Sequence, residues 1–266
     1  MRRLSQLDGP FKALVTMFTI VLSCGFGVAH LYLHHTVDRA DGKEDLVPTA
    51  RDIALHYHGE PGTTRFRTKV LGSMKKYFSA EEDPGKLTPE EEADHAAVLD
   101  WDARGAPEAE YWDPATKDYA KIGNILLNRG CFDCHAPDAV GKGSKPKSPL
   151  DTYAGVKKFA TENTGMSTGE LLMLSHIHLL GMGLMFLGLG FAVALTSFSA
   201  RLRAGVICAG FASVLLDIGG WWAVKYGGAN WTWLVLAGGL LMGAAFALGA
   251  LMALHECWLR KPPPDA

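Results

Sequence analysis

The chain has no second C-x-x-C, no A-x-A site after its first apolar run, no phosphate-binding loop, no nucleophile motif and no internal repeat. Each absence removes a class. With one cysteine pair there is no tetrahedral zinc site to complete, and without a cleavage site the basic, apolar start is expected to stay as an anchor rather than leave as a signal peptide. No stripe of basic and aromatic residues marks a nucleic-acid face, so no nucleic-acid partner is expected. Five cysteines, two of them in one short motif, leave no persuasive disulfide framework. Cys24 and Cys208 lie in long apolar runs and Cys257 just past one, and all three read as small apolar residues; Val21-Leu22-Ser23-Cys24, an imperfect lipoprotein cleavage box, offers lipidation as the alternative for Cys24.

Charge is also scarce in four stretches: Phe11 to His34, Leu171 to Phe198, Ala204 to Ala223 and Trp231 to Leu254. Asp217 is the only carboxylate in any of them. Each is long enough to cross a hydrocarbon core of about 30 Å as a helix, and none shows the polar stripe of a surface helix in a soluble protein. Arg2, Arg3 and Lys12 precede the first span, Arg201 and Arg203 lie between the second and third, and Arg260 and Lys261 follow the fourth. By the positive-inside rule these three places are cytoplasmic, which leaves about Thr36 to Gly169 outside. Trp221, Trp222, Tyr226, Trp231 and Trp233 surround the short turn Gly227 to Asn230 and are expected to form an interfacial aromatic belt.

The most informative feature present is Cys131-Phe132-Asp133-Cys134-His135, a C-x-x-C-H attachment site for a c-type haem. Two cysteines three apart each form a thioether to a haem vinyl group, and the next histidine lies under the iron as proximal ligand. Ahead of it, Ile122, Ile125, Leu126 and Arg129 recur at helical spacing and lead into the first cysteine. No strand-helix frame of a thioredoxin type surrounds the motif.

Residues from about 117 to 166 resemble a class I-like monohaem c-type cytochrome domain. The resemblance implies a small residue eight before the first cysteine, for close packing on a C-terminal helix, and a bulky apolar one four before it, over the haem. Gly123 and Leu127 stand there. It further implies a proline carbonyl on the proximal histidine, for which Pro149 is the candidate with Pro146 behind it, and a distal methionine from a later loop, for which Met166 is the candidate. His56, His58 and His95 are the alternative distal ligands. Haem attachment to such a motif takes place on the outer side of the bacterial cytoplasmic membrane, which agrees with the charge-based topology.

The region between the first span and the motif divides by charge. Thr49 to Ser79 carries Arg51, Arg65, Arg67, Lys69, Lys75 and Lys76, whereas Glu81 to Asp118 holds thirteen acidic residues against three basic ones. Such a dipole is either a solvated surface or a docking face for a soluble redox partner. Thr88-Pro89-Glu90-Glu91 predicts a helix start with a capping box, running to about Arg104, and Asp113-Pro114 is expected to open the helix leading to the motif. His56-x-His58 precedes a turn and is expected in an ordinary polar loop; on a strand, the alternative, both imidazoles would share one face and could bind a metal.

At 1.5 Å of rise per residue, His30 and His34 of the first span, His176 and His178 of the second and Asp217 of the third fall at similar depth. Ionisable groups in lipid normally face a bundle interior, so this layer is a candidate second site. It would hold a metal or a b-type haem between the first two spans, with Asp217 as a proton acceptor for quinol. His176 and His178, two apart on a helix, point about 200° apart and cannot both reach one iron.

The expected fold class is all-α: a four-helix transmembrane bundle with an outer, mostly helical c-type cytochrome domain. The expected divisions are an anchor over 1–35, an outer polar region over 36–114, the haem domain over 115–168, a three-helix membrane domain over 169–258 and a cytoplasmic tail over 259–266. The expected function is electron transfer by a multi-pass protein of the bacterial cytoplasmic membrane, its haem domain periplasmic, working with respiratory-complex subunits or a soluble redox protein. The alternatives are a quinol-oxidising subunit with a second haem or metal in the membrane layer, and a haem-based redox or gas sensor.

Overall fold

The computed structural model describes residues 3–37, 47–72, 74–83, 85–136 and 149–261, and the side chains of 34–36 are not among what it describes. In chain order the elements are helix α1 (Gly9–Thr36), α2 (Ala50–Tyr57), strand β1 (Glu60–Thr64), α3 (Arg65–Leu71), α4 (Pro89–Ala103), β2 (Trp112–Asp113), β3 (Asp118–Tyr119), α5 (Lys121–Asn128), α6 (Cys131–His135), α7 (Tyr153–Lys157), β4 (Glu162–Asn163), α8 (Thr168–Ala194), α9 (Ala200–Gly227) and α10 (Thr232–Trp258). They fall into two compact units. One holds α1, α2 and α8 to α10; the other centres on Gly59–Gly165.

In the first unit, α1, α8, α9 and α10 are long and apolar enough to cross a membrane. Their starts are written locally. Asp8 caps α1 ahead of Pro10, Ser167 and Glu170 form a reciprocal capping box on α8, and Ser199 caps α9, each satisfying backbone N–H groups that a helix start leaves without partners. The outward surfaces are apolar: Leu14 and Val28 of α1, Leu184 of α8 and Leu240 of α10 are all more than 60% exposed. A helix bundle in water would hide such residues; in hydrocarbon they face the solvent that suits them.

Inside this unit the helices approach closely where glycine permits. A Cβ on Gly238 of α10 would come within 2.6 Å of the Asp217 backbone nitrogen on α9. Gly210 lies under Phe186, and Gly188 under Phe18, with equally little room. Gly239 and Gly243, spaced as a small-xxx-small pair, have nothing within 4 Å, so the close contact falls on the neighbouring face. At the other end of α10 the fully buried Glu256 accepts hydrogen bonds from Ser5 Oγ (3.0 Å), the Ser197 backbone N–H (3.0 Å) and Ser197 Oγ (2.7 Å). One carboxylate thereby ties the N-terminal segment and the α8–α9 turn to α10.

Three sequence expectations change here. His56 lies in a helix, because Thr49 and Asp52 form a capping box that starts α2, so the H-x-H pair begins in a helix rather than in a loop or on a strand. Trp221 is buried while Tyr226, Trp231 and Trp233 are exposed; the aromatic belt is therefore smaller than expected and Trp221 is core. Pro48–His58 groups with the spanning helices rather than with an outer polar region.

The second unit has one core, formed by Phe66 and Val70 of α3, Val98 and Trp101 of α4, Tyr111, Ile122 and Leu126 of the α5 region, Phe132 of α6 and Val156 of α7. This core crosses the expected boundary at 114/115, since Trp101 and Tyr111 before it share one cluster with Ile122, Leu126, Phe132 and Val156 after it; Trp101 stacks on Tyr111 at 5.4 Å between ring centroids. Helix α4 begins as its Thr88 to Glu91 pattern predicts, with both halves of the capping box formed. The Asp113-Pro114 stretch opens a two-stranded hairpin, β2 with β3, not a helix; Lys117 at its tip adopts a positive φ of 59°.

Gly238→Leu is expected to destabilise the membrane unit by about 1–3 kcal/mol or more through overpacking, whereas Gly239→Leu one residue away is expected to be close to neutral. Thermal unfolding of the detergent-purified variants measures the difference, and equal melting temperatures would contradict the assigned helix face.

Candidate functional site

The C-x-x-C-H segment forms its own short helix. Helix α5 ends at Asn128, and Gly130, at a φ of +70°, takes the left-handed conformation that turns the chain into α6. Immediately before the turn, Arg129 donates to Asp94 of α4 at 2.9 and 2.6 Å and lies 3.6 Å from Glu91. Glu91 is itself buried and accepts from the backbone N–H groups of Ala80 (2.9 Å) and Thr88 (2.7 Å). The start of the motif is thus braced on α4 by charge-assisted hydrogen bonds.

Cys131, Cys134 and His135 share the wall of a cavity of about 350 Å³, which α3 and the turn after it, well upstream in the sequence, also line. Its lining is mostly apolar, including Phe66, Val70, Phe78, Leu126, Leu150 and Phe159, with two cations, Arg65 and Lys69. That composition matches a cofactor pocket, in which apolar walls bury the ligand and a few polar groups orient it. Burial pushes the Cys131 thiol up to about 11, the opposite direction from the depressed pKa of an activated redox thiolate. Burial also lowers the pKa of His135, favouring the neutral imidazole that binds metals. Among the described residues, His135 Nδ1 is buried with no hydrogen-bond partner. An unsatisfied buried nitrogen costs about 1–3 kcal/mol, a cost that a bound ligand or an ordered water would offset.

Beyond the motif, Leu150 donates its backbone N–H to the His135 carbonyl at 2.6 Å. Three tyrosine hydroxyls fix the same region: Tyr111 to the Leu150 carbonyl, Tyr119 to the Asp151 carbonyl at 2.8 Å, and Tyr153 to the Ala106 carbonyl at 2.8 Å. Pro149, expected to hold the His135 imidazole through its carbonyl, turns that oxygen toward Gly155, where it leaves no room for a Cβ. Pro146 lies outside the described residues. Leu127 is 45% exposed; the cavity is lined by its neighbour Leu126, because the buried face of α5 runs through Ile122, Ile125 and Leu126. Gly123 packs against the Tyr111 carbonyl and the Tyr119 ring, not against a C-terminal helix.

The other expected ligands are dispersed. Met166 belongs to the first unit, where its N–H binds the His56 carbonyl at 2.9 Å and its side chain packs against the spanning-helix core. His58 Nδ1 is 3.0 Å from the Lys225 carbonyl. His95 is buried, with Nε2 3.0 Å from the Val70 carbonyl and its ring edge-on to Phe78.

The chain segment 143–264, which includes three of the four spans, matches a protein family described as a transmembrane helical domain, Aq_1264_TM. No curated protein and no solved structure matches the chain. With its four long apolar helices, the chain reads as a multi-pass membrane protein. The match lends nothing to the C-x-x-C-H segment, which precedes it.

Within the spanning helices, the expected layer is assembled only in part. Asp217 is buried on α9, one turn before Trp221. His178 is half-buried, with Nδ1 2.8 Å from the Leu174 carbonyl of its own helix and its ring edge-on to Trp221; Tyr57 also stacks on Trp221, at 5.7 Å between ring centroids. His30 and His176 are exposed on their helices, so they do not face a common interior point, and the His34 side chain lies outside the described residues. Among the described residues no three His, Cys, Asp or Glu side chains gather in a metal-holding group.

Sequence reading missed the α3 side of the cavity. Phe66, Val70 and Lys69 were visible only as part of a basic stretch, although Phe66 and Val70 are four apart and mark one helix face.

Two outcomes follow from this geometry. Tyr111→Phe is expected to cost about 1–3 kcal/mol, because the Leu150 carbonyl loses its buried donor, and denaturant unfolding followed by tryptophan fluorescence measures it. The hydrogen bonds to Glu91 from the Thr88 and Ala80 backbones, with Arg129 alongside, hold its carboxyl below the usual range. A carboxylate depressed in the folded state stabilises fully above its unfolded pKa of about 4.3 and loses that contribution as pH falls through the lower folded value. Melting temperature is therefore expected to drop from about pH 4.3 downward, with a shallower acid slope in Glu91→Gln.

Proposed function

We propose that Gly59–Gly165 is a c-type haem domain and that the protein is a membrane-anchored electron carrier of the bacterial cytoplasmic membrane, with this domain on the periplasmic side. The observation that carries the proposal is the shared cavity: both cysteines and the histidine of C-x-x-C-H line one apolar pocket with two cations on its wall. A haem held there supplies a one-electron iron couple. Cys131 and Cys134 would hold it through thioethers and His135 through a ring nitrogen, in line with the buried imidazole and its unsatisfied Nδ1. Arg65 and Lys69 offer positive charge to the two haem carboxylates. Phe66, Val70 and Leu126 keep water from the metal, and low local dielectric is one of the levers that set a haem's potential.

Electrons would pass to or from respiratory-complex subunits or a soluble redox protein. The acidic stretch from Glu81 to Asp118 favours a basic partner surface, whose association would be steered by charge and weakened by salt. The positive-inside distribution around the spans supports the orientation.

Full-length protein produced in a host that matures c-type cytochromes is expected to keep one haem through denaturing electrophoresis, stained by haem peroxidase activity at the full-length band. Cys131→Ala is expected to abolish or severely reduce the stain. A wild-type band without covalent haem would reject the proposal.

A further inference from the structure

We infer that Met74 is the distal haem ligand, supplied from upstream of the C-x-x-C-H motif. The inference rests on the haem reading above and deepens it by naming the second axial ligand. Among the described residues, Met74 is the one methionine on the wall of the cavity that Cys131, Cys134 and His135 share. A thioether is a weak hydrogen-bond acceptor and a soft metal ligand, so one brought to a pocket that also holds a histidine and two thioether-forming cysteines completes the donor set of a His/Met haem.

The local backbone is built to hold this residue still. Met74 N–H binds the Lys69 carbonyl at 2.9 Å, and the Met74 carbonyl accepts from Tyr77 N–H at 3.1 Å. The side chain therefore leaves a closed junction between α3 and the 3₁₀ turn Lys75–Phe78. Both flanks are clamped by α4: His95 Nε2 reaches the Val70 carbonyl before Met74, and the His95 ring meets Phe78 after it at 5.0 Å. Glu91 holds the next stretch through Ala80 N–H. His95 is on this reading a positioning residue, its Nε2 committed to a backbone carbonyl and its ring absent from the cavity wall. Met166 is engaged elsewhere, packed with the core of the spanning helices.

The test uses full-length protein with haem attached, in wild type and in Met74→Leu, Met74→His and Met166→Leu. Leucine and histidine preserve much of the volume at the site, so folding is expected to survive; the haem stain of the denatured band reports attachment separately from ligation. Wild type is expected to be low-spin, with the weak far-red absorption band of a methionine-ligated ferric haem. Met74→Leu should lose that band, bind carbon monoxide in the ferrous state where wild type does not, and shift to a lower reduction potential. Met74→His should be low-spin without the band, and Met166→Leu should keep it. Persistence of the band in Met74→Leu, its loss in Met166→Leu, or a wild-type spectrum without it would overturn the assignment while covalent haem remains. Absence of covalent haem from wild type would instead remove the haem reading on which it rests.

Discussion

The cavity exists because a polar hydroxyl is satisfied at the centre of an apolar core. Tyr111 has no exposed surface; its ring stacks on Trp101 and its hydroxyl bonds the Leu150 carbonyl. That single bond draws the chain after the C-x-x-C-H helix back over the same core from which α3, α4 and α5 radiate. Without it, the Leu150 carbonyl would need water inside the pocket, since a buried carbonyl without a donor is costly. Tyr119 and Tyr153 repeat the device nearby. The wall formed by Leu150 is thereby kept dry and fixed relative to His135.

The rest of the site follows from bracing by α4. This helix reaches α5 and α6 through Arg129, and the α3 end through His95 and Glu91. Two segments separated by some sixty residues, Val70 to Phe78 and Cys131 to His135, are therefore held by one rigid element. Preorganisation of this kind would suit the proposed electron carrier, because groups that already stand in place lower the cost of a change of charge. The spanning helices use different means: glycine contacts without hydrophobic driving force, and one buried carboxylate, Glu256, that gathers three donors.

Much of this was legible in residue order. The four spans, their caps, the α4 helix and the C-x-x-C-H motif all depend on neighbours within a few positions. Errors arose where a residue's role depended on partners far away. Leu127 was expected over the haem, but the face of α5 that is buried is chosen by Tyr111 and Trp101, and it favours Leu126. Pro149 was expected on His135, but its carbonyl lies against Gly155. The layer of His30, His176 and Asp217 was inferred from depth alone, and depth does not determine which way a side chain faces around a helix.

The residue order determined where α4 starts, which segments suit hydrocarbon, and which three side chains make up the C-x-x-C-H pattern, because each rests on local geometry or on transfer from water to an apolar phase. Only tertiary structure decided that α3 forms the far wall of the motif's cavity, that Met74 stands there while Met166 packs with the spanning helices, and that Gly238 rather than Gly239 meets its neighbour. Those outcomes turn on the rotation of helices about their axes and on long-range pairing. Both are settled by the packing of whole faces against one another, and no short window of sequence contains that information.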